Sequence, residues 1–210
     1  MIVKLAKLVA LAGVVALSSS CGDFVRQGQS PVLLVMKSLR GASGADPTTF
    51  SGVLHSDVIT MRTDPAPCSD TTPCPTVWAD NGEVVLSLQL KDQGSLGGVD
   101  TPSLTNQVQI DRYRVEYRRS DGRNTQGVDV PFAFDSAVTF AVLPTEDVVR
   151  DFQLVRHVAK AEAPLASLAA SGNVIATIAT VTFYGHDMAG NQISVTGNIG
   201  VDFGDFADPQ

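Results

Sequence analysis

IATIATVTFYGHDMAGNQISVTGNIGVDF, residues 175–203, is the stretch that decides the fold. Ile175, Ala179, Val181 and Phe183 alternate with Ala176, Thr180, Thr182 and Tyr184. After the segment 185–191, rich in Gly, Asp and Asn, the alternation resumes. Ile193, Val195, Ile199, Val201 and Phe203 face one way, and Gln192, Ser194, Thr196, Asn198 and Asp202 the other. A period of two over this length describes two half-buried strands, each with one face on a core and one in water. The connection is longer than the two-residue minimum of a hairpin. Two paired strands bury too little to stand alone, so the rest of the chain must supply a second apolar layer.

Outward from this hairpin the same signals recur. The chain has 210 residues, 44% of them hydrophobic but only 6% aromatic, with 18 Gly and 11 Pro. That mix favours many short strands joined by turns. Strands are expected over 53–61, 83–91, 108–119, 130–143 and 148–158. Residues 31–40 (PVLLVMKSLR) have helix-like ends at Ser30-Pro31 and Gly41, yet their apolar run equally suits a buried first strand, which is the favoured reading. Only 162–172 breaks the β pattern. Pro164, the apolar face of Leu165, Leu168 and Ala169, and Gly172 describe a short helix. Trp78, the one tryptophan, is expected to plug the core. About seven strands and one crossover helix specify an all-β chain: an immunoglobulin-like antiparallel β-sandwich forming a single domain over 31–206. The Cys…Trp…Cys spacing of true immunoglobulin domains is absent, which leaves other sandwich topologies open.

The N-terminus supplies an address. Lys4 and Lys7 precede ten uninterrupted apolar residues, 8–17, followed by Ser18-Ser19-Ser20 and Cys21. The apolar run is too short to span a bilayer but suits an export signal over 1–20. LSSSC followed by Gly22 resembles the lipobox of bacterial lipoproteins, although Ser18 stands where that family has Leu. The resemblance implies that Cys21 is lipidated, that 21–30 is a tether, and that the membrane is a partner through the lipid. The loop GHDMAGN (185–191) resembles the D-x-A-G-N turn between the last two strands of bacterial Ig-like surface domains, through Asp187, Gly190 and Asn191. The whole chain thus looks like a bacterial lipoprotein built on an Ig-like domain. The address implied is the cell envelope, facing the periplasm or the surface.

The remaining residues say more about what to exclude. Fifteen basic against 22 acidic residues give a net charge of −7. Losing Lys4 and Lys7 with the leader leaves 13 against 22, or −9. Nucleic acid is not the partner of such a chain. With Cys21 lipidated, Cys68 and Cys74 are an even pair in an oxidising compartment, with five residues between them among prolines, and read as a disulfide. His55, His157 and His186 have no metal-type spacing, and no D-x-D-x-D-G loop appears, so no metal is expected. There is no G-x-S-x-G elbow, phosphate loop or dinucleotide fingerprint, so neither catalytic residues nor a cofactor are assigned. Arg112, Arg114 and Arg118 fall on one strand face with Glu116 between them. They are either a solvated outer face or a binding face for an anionic envelope component. The function expected is a non-enzymatic, lipid-anchored binding or structural module whose partner is an envelope protein or polysaccharide. An exported hydrolase and an assembly factor for envelope lipid or polysaccharide are the alternatives.

Overall fold

A computed structural model describes residues 28–91, 103–169 and 171–206. Cys21 and the signal region lie outside them. Two sheets face each other. The smaller has the order β1 (Val32–Ala42), β5 (Asp80–Leu90), β8 (Val148–Val155). The larger has the order β2 (Val53–Asp57), β10 (Gln192–Gly204), β9 (Ile175–Asp187), β6 (Val108–Arg118), β7 (Phe134–Val142). Neighbours pair antiparallel throughout, except that β2 runs parallel to the last strand, β10. The first part of the chain is thus divided between both sheets. The arrangement is an immunoglobulin-like sandwich, with β1-β5-β8 as A-B-E and β10-β9-β6-β7 as G-F-C-C′. A separate arm, β3 (Thr60–Arg62) paired with β4 (Cys74–Thr76), stands off its end.

The closing hairpin has the register its alternation predicts. Phe203 stands opposite Ile175 and Val195 opposite Phe183. Ala179, Val181, Phe183, Ile193, Ile199, Val201 and Phe203 are buried, and Val195 is partly so. The core between the sheets is aromatic at its centre. Phe183 touches the rings of Phe152 at 5.2 Å, Tyr113 at 5.7 Å and Phe140 at 6.5 Å. Tyr117 packs on Phe203 at 5.5 Å. Two hydroxyls cross to the backbone of edge strand β8. Tyr113 donates to the Gln153 carbonyl and accepts from its N–H, both at 3.2 Å, and Tyr117 donates to the Leu154 carbonyl at 2.5 Å. They satisfy polar groups that the sheet leaves at its margin.

The 187–191 turn is built by one carboxylate. Asp187 Oδ1 accepts the N–H of Ala189 at 2.9 Å and of Asn191 at 2.8 Å, while Oδ2 accepts the Asn191 side chain at 2.9 Å. Gly190 takes φ +83°, a conformation that costs other residues a Cβ clash. Burial works to raise the Asp187 pKa, but hydrogen bonds from Asn191, Ser30 and Ala189 outweigh it and hold the carboxyl below its ordinary value. Through Ser30, itself buried, the start of the domain is fastened to this turn.

Several local expectations differ from the outcome. Residues 31–40 are strand, in register with β5 from Val32 opposite Leu90, with a bulge at Lys37. The expected strand 53–61 is two, because Val58 turns inward, gives its N–H to the Gly204 carbonyl, and ends the ladder with β10. The expected strand 148–158 stops at Val155 and becomes one helical turn, α1 (His157–Lys160). The helix expected over 162–172 is only a 3-10 turn, Leu165–Leu168, which tucks Leu165 and Leu168 into the core. Trp78 is not a core plug. It is half-buried, beside the β3–β4 arm.

Candidate functional site

Strand β3, Thr63 and Asp64 after it, and Trp78 line an open cavity of about 400 Å³, together with Gly44, Ala45 and Pro47 from the loop after β1. That volume lies within the range of small-molecule sites. The arm pairs over only three positions, Thr60 with Thr76, Met61 with Pro75 and Arg62 with Cys74. So short a ladder has little stability of its own. The Cys68–Cys74 disulfide, with Cα atoms 5.4 Å apart, ties the second half of the excursion between its strands to the start of β4. Arg62, directly opposite Cys74, is therefore held at the position where the crosslink enters. Its guanidinium lies 5.4 Å from the centre of the Trp78 ring, within cation–π range. Asp64 stands 3.7 Å from it and is almost fully solvated.

Beneath the cavity lies a buried polar knot. Lys160 Nζ, on α1, donates to Asp80 Oδ1 at 2.8 Å and to the Asp57 carbonyl at 2.7 Å. The two side chains are 1% and 0% exposed. Asp80 Oδ2 accepts the Ser56 hydroxyl at 2.6 Å, and Oδ1 also accepts the Gly44 N–H at 2.9 Å. This last bond draws the cavity's own loop onto Asp80. Only glycine fits there: a Cβ on residue 44 would stand 2.2 Å from the Ala79 carbonyl oxygen and 2.5 Å from Trp78 Cβ. Asp80 begins β5, and Ser56 and Asp57 end β2, so the knot ties both sheets to α1 and to the cavity wall. Nearby, burial and then the charge of Asp80 push the Tyr117 phenol above its ordinary pKa.

Arg112, Arg114 and Arg118 occupy the outer face of β6, opposite the buried Tyr113, Val115 and Tyr117. Arg112 bonds Asp135 at 2.7 Å and lies 4.0 Å over the Tyr184 ring. Arg114 divides its fork between Glu116 at 2.8 Å and Asp135 at 2.5 Å. Arg118, the most exposed, reaches Glu116 only at 3.8 Å. Burial works to raise the Asp135 pKa, but the bonds from Arg112 and Arg114 lower it further than that. The three cations thus share two carboxylates, and two of the three have committed hydrogen-bond donors. No group of three metal-ligating side chains comes together among the described residues.

The cavity and its knot are what residue-by-residue reading missed. Asp80 and Lys160 are 80 positions apart, and neither has a local spacing that marks it. A lysine after Val158-Ala159 resembles any surface lysine until α1 carries it inward. Arg62 and Trp78 do lie near the Cys68–Cys74 pair in sequence, and a crosslinked excursion holding an aromatic and a cation was the available signal. No family model matches the chain, and comparison with curated proteins and with solved structures found no match.

Proposed function

We propose that this is a lipid-anchored cell-envelope protein whose β-sandwich is a non-catalytic binding module, taking a component of the envelope in the Trp78 cavity. The observation that carries the reading is a half-buried indole beside a guanidinium in a concave site, with Arg62 paired to the disulfide-bonded Cys74 and Gly44 bonded to the buried Asp80–Lys160 pair. Indole and guanidinium are the side chains most often found at binding hot spots, and walls fixed before the ligand arrives reduce the entropy lost on binding. The inter-sheet space is filled by Phe152, Phe183, Tyr113 and Phe203, which favours a module that binds at its end over a carrier that encloses its cargo. The lipobox-like LSSSC supports an anchor at Cys21.

Because Trp78 is the only tryptophan, intrinsic fluorescence reports on the cavity without a label. Titration with solubilised envelope polysaccharide should change the emission saturably, and Trp78→Phe should weaken the same association measured by calorimetry. An unchanged emission together with turnover of ester, glycoside or peptide substrates would replace this reading with the hydrolase. Independently, Cys21→Ser should remain unprocessed or leave the membrane fraction. A variant that fractionates and migrates like the parent would remove the anchor.

A further inference from the structure

The arginines of this surface differ in how their donors are used. Arg40 gives two N–H groups to Glu83, and Arg119 and Arg123 close on Asp121. Arg112 and Arg114 are committed to Asp135 and Glu116. Arg62 is different. Its guanidinium is placed by stacking on Trp78, and its charge partner Asp64 is at 3.7 Å, beyond hydrogen-bond range. It lines the cavity and is about one-third exposed. A fixed guanidinium whose planar fork is not spent on a carboxylate is a preformed receptor for an oxyanion, since the fork matches carboxylate or phosphate oxygens two at a time.

We infer that the Trp78 cavity binds an acidic saccharide, with the carboxylate or phosphate of the sugar on the Arg62 fork. This rests on the cavity being the binding site. Trp78, half-buried in the cavity wall, offers an aromatic surface to the C–H face of a sugar ring. Thr63 and Asp64 offer partners for ring hydroxyls at the rim. The chain is strongly acidic, so attraction at long range is weak and selectivity comes from this one local cation. Asp64 is an internal competitor: its carboxylate occupies the neighbourhood that a bound oxyanion must enter.

The test uses the disulfide-bonded protein and four probes: a galacturonate oligosaccharide, a hexose phosphate, a neutral oligosaccharide of the same length, and inorganic phosphate. Trp78 emission and calorimetry are read at low and physiological salt. The uronate or the hexose phosphate should bind, and which of them binds more tightly identifies the acid. The neutral sugar and free phosphate should bind at least tenfold more weakly. Arg62→Gln should lower acidic-sugar affinity by about tenfold or more, the loss of a charged hydrogen-bonding group. Asp64→Asn should raise it several-fold, a gain that a purely structural role for Asp64 does not produce. Thermal unfolding should be nearly unchanged in Asp64→Asn, whose side chain is almost fully solvated, and only slightly lowered in Arg62→Gln, whose guanidinium makes no hydrogen bond to a carboxylate. A neutral sugar that binds as well as the uronate, with Arg62→Gln without effect, overturns the oxyanion assignment and leaves the cavity as a binding site. No saturable response to either acidic sugar also overturns it.

Discussion

Replacing Lys160 with Met removes the cation of the buried knot while keeping most of the side chain's volume. The Asp80 carboxylate then stays at 0% exposure with only Ser56 and Gly44 as donors, and the Asp57 carbonyl loses Nζ. Breaking one side of a buried ion pair costs about 3–5 kcal/mol, because the remaining charge is left without compensation. For a domain of this size each kcal/mol is worth about 2–4 °C in Tm, so the loss expected is roughly 6–20 °C. Asp80→Asn in the same chain should restore part of this. The amide removes the stranded charge and still offers an oxygen to Gly44. The two substitutions should therefore be non-additive by at least about 1 kcal/mol in a double-mutant cycle of urea unfolding. Gly44 abuts Trp78, so Lys160→Met should also shift Trp78 emission towards that of a more solvated indole before global unfolding. A cost below about 1 kcal/mol, or strict additivity with Asp80→Asn, would refute the view that this pair holds the sandwich end together.

Phe183→Ala should cost about 3–5 kcal/mol as a buried large-to-small change, whereas Thr182→Ala, whose exposed hydroxyl meets only Thr196, should stay within about 1 kcal/mol; equal losses in urea would overturn the hairpin register. Cys68 and Cys74 should resist alkylation until reduced, as mass measurement will show, and reduction should alter Trp78 emission because Cys74 stands opposite Arg62. Asp187 has a depressed folded pKa, so its contribution is fully present above the ordinary carboxyl value of about 3.9 and is lost as pH falls through the lower folded value. Urea unfolding followed from pH 6 down to pH 2.5 should show this loss in the parent and a flatter profile in Asp187→Asn.

What the chain made legible follows from the range of the forces involved. The 175–203 hairpin is written in alternation because one face of each strand meets water, and the Cys68–Cys74 bond is written in proximity. The division at Val58 was hidden because the β-branched Val58 and Ile59 suit a strand as well as Val53 does, and only the meeting with Gly204 shows where pairing ends. Trp78 misled for a related reason. Indole is usually buried, but here the ring is half-buried in a cavity wall, with the Arg62 guanidinium 5.4 Å from its centre. The Asp80–Lys160 contact depends on how α1 packs after β8. Asp80 falls on the inward alternation of β5, but no period or spacing names Lys160 as its partner. The same holds for the arginines of β6. Their shared face was evident from the sequence, but the carboxylate of Asp135 comes from the next strand.

Ser30 fastens the chain to the Asp187 turn, and Val32 begins β1 opposite Leu90, the last residue of β5. Asp80, which begins β5, lies at the other end of that strand, under the cavity. Eleven residues of strand at about 3.3 Å each separate the two ends, so entry point and cavity are opposite poles about 33 Å apart. With the proposed lipid on Cys21, the nine residues 22–30 add at most about 30 Å of extended chain. A protein hung from a membrane by its N-terminus can then hold the Trp78–Arg62 cavity up to about 60 Å from the lipid headgroups. At that standoff the negative surface potential of a bilayer is screened several Debye lengths over. On the proposal of a lipid at Cys21, the sandwich is a spacer that sets the cavity about the length of β5 from the point where the chain enters the fold.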